Sequence, residues 1–115
     1  MNTRISGKVV RGKRKGKTLG FPTVNIELRE KIESGVYAGS VNVGGRNYKA
    51  GIFVNTEKTL LEAHIIGFSG DLYGKEIKVG LGKKIREVMK FESEEELKEQ
   101  IKKDIKIITH ELGTK

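Results

Sequence analysis

Apolar and polar residues alternate along most of this chain with the two-residue period of β-strands. In residues 60–68, Leu61 and Ile65 share one face of the alternation. Glu62 and His64 share the other face, so one side of the segment can join a core while the other carries polar groups. Turns that contain glycine separate similar segments. The pattern predicts six strands, at residues 5–11, 23–28, 36–43, 47–54, 60–68 and 76–85.

The apolar spacing changes to the period of an α-helix in the last part of the chain. Ser93 and Glu96 have the spacing of a capping box, which predicts that the helix begins at Ser93. We expect its apolar face to dock on the strands. Six short strands and one such helix predict a mostly β fold, a small antiparallel barrel with a packed C-terminal helix, in a single domain of residues 1–115. The apolar face consists of Leu97, Ile101, Ile105, Ile108 and Leu112.

Composition narrows the classes of protein to which the chain can belong. The 115 residues include no cysteine, which excludes disulfides, thiolate catalysis and zinc sites built on cysteine. The two histidines, His64 and His110, are too few and too far apart to suggest a metal cluster. The sequence has neither a long apolar run nor an apolar N-terminal stretch, so we expect a cytoplasmic protein without membrane contact.

The formal net charge of +8 is partly local, because six cations lie between Lys8 and Lys17. A basic segment with glycines attracts anions, either a nucleotide or a nucleic acid, and a solvated basic loop is the alternative. The segment is not a P-loop, since three residues rather than four separate Gly12 from Gly16. Pro22 also prevents the helix that a P-loop requires.

The only proline of the chain lies in the stretch Leu-Gly-Phe-Pro-Thr-Val-Asn-Ile at residues 19–26. Pro22 favours an extended backbone before it, and a strand follows. Thr23 and Asn25 then share one face, roughly 7 Å apart. Hydroxyl and amide oxygens suit Mg²⁺ and the phosphates that accompany it, although polar residues on the solvent face of an edge strand are commonplace and are the more ordinary interpretation of this signal alone.

Glu62 is an exception within the most apolar strand of the chain. Burying a carboxylate is costly unless it has partners. The residue is therefore either a functional group or a carboxylate paired with a lysine or His64, or one that faces water at the barrel rim.

The ordered set of these motifs resembles the riboflavin kinase family, the flavokinases that make FMN from riboflavin and a nucleoside triphosphate. The resemblance runs from about Gly7 to Asp104 and implies a six-stranded Greek-key barrel with a C-terminal helix. The segments that carry it are GKVVRG at 7–12, Gly16, LGFPTVNI at 19–26, GVYA at 35–38, LEAHI at 61–65, DLYG at 71–74, Ile85-Arg86 with Lys90-Phe91, Leu97 and Asp104.

The resemblance also implies a role for individual residues. Glu62 matches the catalytic carboxylate, the general base that accepts the proton of the ribityl 5′-hydroxyl. Thr23 and Asn25 match the residues that bind the metal and the terminal phosphates. The other nucleotide-binding positions implied are Gly12, Gly16, Lys17, Ile65 and Tyr73. The flavin-binding positions implied are Arg86, Met89 and Phe91.

The expected ligands follow from the same resemblance. They are riboflavin and FMN, Mg²⁺ or another divalent cation, and ATP as phosphate donor with CTP as the alternative. Small molecules are the expected partners of a monomer that stops at FMN, since the chain has no room for the adenylyltransferase domain to which this module is often fused. Arg14 stands where the family usually has a further glycine, the stretch 52–56 lacks a Gly-x-x-Pro-Thr pattern, and Val88 replaces an acidic residue.

Two other functions are compatible with the residues. A small basic barrel can bind RNA or DNA through the segment 8–17, although no aromatic residue is interleaved with its cations. A flavin-binding relative that does not catalyse is the second alternative, and the presence of Thr23, Asn25 and Glu62 argues against it.

Overall fold

A computed structural model describes residues 3–10, 23–57 and 59–113 of the chain. Within these ranges it contains six strands and one helix, which we number in chain order. The strands are β1 Thr3–Val10, β2 Val24–Glu27, β3 Gly35–Val43, β4 Arg46–Val54, β5 Leu60–Ile65 and β6 Glu76–Arg86, and the helix is α1 Glu94–Gly113.

The six strands form a closed barrel in the order β1-β2-β5-β4-β3-β6, with every neighbouring pair antiparallel. Strands β3, β4 and β5 follow one another, and β6 returns to lie beside β3, which is a Greek-key connection. The predicted barrel with its C-terminal helix is confirmed. Strand β5 ends three residues earlier than predicted, because the chain turns at Gly67, whose φ of 83° favours glycine.

The inward-facing residues of each strand fill the barrel. Ile26, Ile52 and Leu61 come from three adjacent strands and each has an exposed fraction of 0%. Full burial of such a side chain stabilises the fold by about 1.5–3 kcal/mol. Ile32 and Leu72, which lie outside the strands, join the same core. The predicted division of β5 is confirmed, since every second residue from Leu61 is buried.

Helix α1 packs on the outside of the barrel against β3 and β4. Ile108 is 1% exposed and lies directly over Gly51 of β4. A Cβ atom at position 51 would come within 2.9 Å of Ile108 Cδ1, so glycine allows the close approach. The N-terminal cap is confirmed by the Glu96 N–H, which donates to Ser93 Oγ at 3.2 Å. No helix within residues 3–10, 23–57 and 59–113 has both the length and the apolar character needed to cross a bilayer.

Candidate active site

One row of outward-facing side chains crosses five strands of the barrel. Asn25 of β2 lies opposite Glu62 of β5, and Glu62 lies opposite Phe53 of β4. The row continues through Val36 of β3 to Arg86 of β6. Directly opposed residues have Cβ atoms roughly 4.5–5.5 Å apart. The barrel therefore brings Asn25 and Glu62 into direct contact range and places Arg86 three cross-strand steps from Glu62.

Asn25 is the most unusual member of the row. Its exposed fraction is 4%, and its Oδ1 atom is buried with no hydrogen-bond donor among residues 3–10, 23–57 and 59–113. An unsatisfied buried acceptor of this kind costs about 1–3 kcal/mol. Thr23 is half-buried and immediately precedes β2, two residues from Asn25. The two residues thus offer a hydroxyl and an unpaired amide oxygen beside the Glu62 carboxylate.

The oxygen atoms of Thr23 and Asn25 suit a hard cation such as Mg²⁺. Within the described parts of the chain, no group of three or more His, Cys, Asp or Glu residues is arranged to hold a metal ion. A cation at Asn25 and Thr23 would have room for phosphate groups and water as further ligands. This is how Mg²⁺ is commonly bound when it accompanies a nucleotide.

The other nucleotide-binding candidates that the structure describes lie toward the end of the barrel at which β2 begins and β5 ends. Ile65 is the last residue of β5, and its side chain, 6% exposed, belongs to the core, so only its backbone can face a ligand. Tyr73 is 51% exposed, and its N–H donates to Asp71 Oδ1 at 3.0 Å. The next residue in this turn donates its N–H to the Val9 carbonyl of β1 at 2.9 Å. The remaining candidates, Gly12, Gly16 and Lys17, lie outside the described residues.

Arg86, at the opposite end of the row, is bound to the helix by a bidentate ion pair. Its Nε donates to Asp104 Oδ1 at 2.9 Å, and its Nη2 donates to Asp104 Oδ2 at 2.8 Å. Its Nη1 donates to the Glu87 carbonyl at 3.0 Å, and Gln100 Nε2 donates to Asp104 Oδ1 at 3.1 Å. The side chain of Arg86 is only 18% exposed, and that of Asp104 is only 8% exposed. Arg86 is consequently held in one orientation by charge-assisted bonds.

A cavity of about 400 Å³ lies between the segment after β6 and helix α1. This cavity is widely open to solvent. Met89 and Phe91, two of the flavin-binding candidates, line one wall. The opposite wall, which is formed by helix α1, was not predicted from the sequence. The periodicity of a helix does not show which of its polar sides faces the segment after β6. The complete lining is Met89, Lys90, Phe91, Glu95, Glu96, Glu99, Gln100 and Lys103.

A second polar cluster joins the β2–β3 connection to the end of β6. Two register shifts occur where β6 pairs with β3, and they place Lys84 opposite the inward-facing Tyr37. Lys84 Nζ binds Glu33 at 2.8 Å and Glu87 at 2.9 Å, and these hydrogen bonds raise the pKa of Lys84. Tyr37 donates its hydroxyl to the Glu33 carbonyl at 2.6 Å, and burial raises the pKa of that phenol. Simple alternation along the strand does not predict this cluster.

Comparison with known proteins gives consistent matches. A family model described as flavokinase, riboflavin kinase, matches residues 1–112. The bifunctional riboflavin kinase/FMN adenylyltransferase of Escherichia coli (strain K12) is 42% identical over 114 residues, which cover 87% of this chain and 35% of that protein. The RNA-binding riboflavin kinase RibR of Bacillus subtilis (strain 168) is 39% identical over 118 residues, which cover 92% of this chain and 50% of that protein. The chain thus spans only 35% and 50% of the length of these two curated relatives.

Solved structures give the same result for the fold. The crystal structure of riboflavin kinase from Trypanosoma brucei matches with a TM-score of 0.73 and 26% identity, covering 97% of this chain and 78% of that one. A structure described as a macrolide-efflux protein from Streptococcus pneumoniae matches with a TM-score of 0.81 and 30% identity, covering 91% of this chain and 38% of that one. The resemblance drawn from the sequence motifs is confirmed.

Proposed function

Because this chain belongs to the riboflavin kinase family, we propose that it transfers the terminal phosphate of a nucleoside triphosphate to the ribityl 5′-hydroxyl of riboflavin, giving FMN. The observation that carries the proposal is the cross-strand pair of Asn25 and Glu62, in which a buried amide oxygen without a donor lies beside a carboxylate. These are the groups needed to hold a cation with its phosphates and to receive a proton from an attacking alcohol.

The chemistry requires mainly positioning and neutralisation of charge. Phosphoryl transfer passes through a loose transition state in which negative charge spreads over the phosphate oxygens. Thr23 and Asn25 would hold Mg²⁺, which would supply neutralisation of that charge. Glu62 holds the 5′-hydroxyl and accepts its proton as the bond from that oxygen to the terminal phosphorus forms and the bond from phosphorus to the leaving nucleoside diphosphate breaks. Because Glu62 lies directly opposite Asn25, the same site would hold the accepting hydroxyl next to the terminal phosphate.

The flavin ring is proposed to occupy the cavity between residues 89–91 and helix α1. Met89 and Phe91 provide apolar and aromatic surface for a flat ring, and Gln100 and Lys103 provide donors for its carbonyl groups. The outer row supports this arrangement, since it runs from Glu62 to Arg86 over three cross-strand steps of roughly 5 Å each. With the terminal hydroxyl of the short, five-carbon ribityl chain at Glu62, the flavin ring would lie along this row and extend toward the Arg86 end.

ATP is the proposed donor and Mg²⁺ the proposed cation, with CTP as the alternative donor. Tyr73, half-exposed beside the end of β1, and the backbone of Ile65 would border the base and sugar. Gly12, Gly16 and Lys17 remain predicted phosphate contacts. All of the proposed residues belong to one chain, so a monomer suffices, and we propose that it acts in the cytoplasm where both substrates are available.

The experiment is a direct assay. The purified protein is incubated with riboflavin, Mg²⁺ and ATP, CTP, GTP or UTP in turn, and FMN is separated from riboflavin by chromatography. We expect FMN with at least one donor and none when EDTA removes the cation. Tight riboflavin binding without product under every condition would identify a non-catalytic flavin-binding relative. Salt-sensitive nucleic-acid binding with neither product nor flavin binding would identify a basic barrel that binds RNA or DNA.

A further inference from the structure

Asp104 is hydrogen-bonded to one residue on each side of the cavity, Arg86 and Gln100. Its Oδ1 accepts hydrogen bonds from Arg86 Nε and from Gln100 Nε2, and its Oδ2 accepts one from Arg86 Nη2. Arg86 ends β6 and begins the segment that supplies Met89 and Phe91 to one wall. Gln100 belongs to the opposite, helical wall. A single carboxylate therefore joins the two sides.

The burial of this ion pair is not explained by helix docking alone. The Asp104 side chain is 8% exposed and lies on the face of α1 that otherwise packs through apolar residues such as Ile108. Replacing a buried ion pair by apolar residues of similar volume is often neutral or stabilising. An apolar pair would therefore dock the helix as well, and the charged pair requires another reason.

The hydrogen bonds of Arg86 suggest why the pair is charged. A guanidinium has five N–H groups in a planar fork. Nε and Nη2 each donate one N–H to Asp104, and Nη1 donates one to the Glu87 carbonyl. Among the contacts with described residues, two N–H groups then remain, one on each terminal nitrogen. Paired donors of this geometry suit a ligand with two acceptors or a carbonyl with two lone pairs.

We propose that Asp104 is a positioning residue for the flavin site, which fixes the separation of the two cavity walls and the orientation of the Arg86 guanidinium beside them. The inference rests on the proposed function, since it assumes that the cavity takes the flavin ring. Asp104 acts through Arg86 and Gln100, whereas the proposed nucleotide-binding residues that the structure describes lie on or next to β2, on β5 and in the turn at Tyr73. Its loss should therefore weaken the use of one substrate and not of the other.

The test compares Asp104→Asn with the unsubstituted protein. Riboflavin Kd, measured by quenching of flavin fluorescence, and riboflavin KM should both rise roughly 10–100-fold, the size expected when a binding group is displaced by about 1 Å. The KM for the nucleoside triphosphate should stay within about twofold of the parent value. Glu94→Gln, an acid-to-amide change on an exposed position of the same helix, is the control and should change neither constant. Asp104→Glu, which keeps the charge, should restore part of the affinity.

A second variant covers the case in which Asp104→Asn does not fold. The variant Asp104→Leu keeps Arg86 and places an apolar side chain on the docked face of the helix, and it should show the same selective loss of riboflavin affinity. Riboflavin Kd within twofold of the parent in either folded variant overturns the proposal, as does a parallel rise in both substrate constants. If the unsubstituted protein forms no FMN, the proposed function fails, while the riboflavin Kd values of parent and variants still decide the positioning role.

Discussion

The two ends of the outer row differ in how their buried polar groups are satisfied. At the Asn25 end, an amide oxygen is buried without a donor. At the Arg86 end, both oxygens of Asp104 accept hydrogen bonds, and the guanidinium is held on two sides. Native proteins rarely leave a buried polar atom unpaired unless a ligand or a strained function accounts for it.

The comparison distinguishes a residue that would bind a ligand directly from residues that hold the site in its shape. An unpaired acceptor at Asn25 is a cost that the fold carries and that a bound cation would offset. The paired groups at Arg86 and Asp104 are already arranged before any ligand arrives, so their contribution to binding is preorganisation. Removing a polar group should therefore have opposite effects on stability at the two ends.

The largest expected effect is on catalysis and concerns Glu62, which lies opposite Asn25 in the outer row. Glu62→Gln keeps the size of the side chain but removes its capacity to accept a proton. We expect kcat for FMN formation to fall by roughly 10²–10⁴, the usual contribution of a general base. The free energy of unfolding should change by no more than about 0.5 kcal/mol. Steady-state kinetics and urea unfolding measure the two quantities.

Glu30→Gln is the matched control for this substitution, since it makes the same chemical change at an exposed residue between β2 and β3. It should leave kcat unchanged. A Glu62→Gln protein that turns over at the parent rate would remove Glu62 from the proposed role and would leave only the cation site at this end of the row.

The next effect is on stability, at the Arg86 end. Arg86→Met leaves the nearly buried Asp104 carboxylate without its cation, and we expect a loss of roughly 3 kcal/mol in the free energy of unfolding. Adding Asp104→Leu should recover most of that loss, because the second change removes the unpaired charge. Urea unfolding of the parent, the two single variants and the double variant gives the coupling energy. Additive losses would show that the ion pair is not the coupled unit described here.

A smaller change of opposite sign is expected at the Asn25 end. Asn25→Leu replaces an unsatisfied buried amide by an apolar side chain of similar size. In the absence of cation and nucleotide, the free energy of unfolding should increase by about 1–2 kcal/mol. The kcat/KM for the Mg²⁺-nucleotide should fall roughly 10–100-fold or more.

Asn42→Leu is the matched control for the stability measurement, since Asn42 Oδ1 accepts a hydrogen bond from Gly45 N–H at 3.1 Å. Here the substitution removes a satisfied amide and should lower stability. If Asn25→Leu is destabilising and Asn42→Leu is not, the contrast between unsatisfied and satisfied groups is wrong.

The smallest effect concerns pH and the cluster around Lys84. The pKa values of Lys84 and Tyr37 are raised above their ordinary values of 10.5 and 10.0. Raised pKa values mean that folding favours the protonated forms, so their contribution is fully present below about pH 10 and is lost as the pH rises through the folded-state values. The Tm of the parent should fall above pH 10, and it should fall less steeply in Lys84→Met and Tyr37→Phe. Equal slopes in all three proteins would contradict this account.

Much of the architecture was predictable from local patterns in the sequence. Alternation around Leu61 and Glu62 was enough to assign their faces, and the spacing of Ser93 and Glu96 was enough to place the start of the helix. The family resemblance also followed from short motifs. These features depend on residues that are close in the sequence, where backbone geometry alone determines which side chains share a face.

The sequence by itself thus determined the strands, the helix, the family and the side of the sheet on which Asn25 and Glu62 lie. Only the tertiary structure decided that Asp104 pairs with Arg86, that Lys84 turns toward Tyr37, and that a helical flank forms the second wall of the cavity. The physical reason is that these contacts depend on strand register, on irregularities in pairing and on the docking angle of the helix. Those quantities are set by packing between residues distant in the chain, and no local period encodes them.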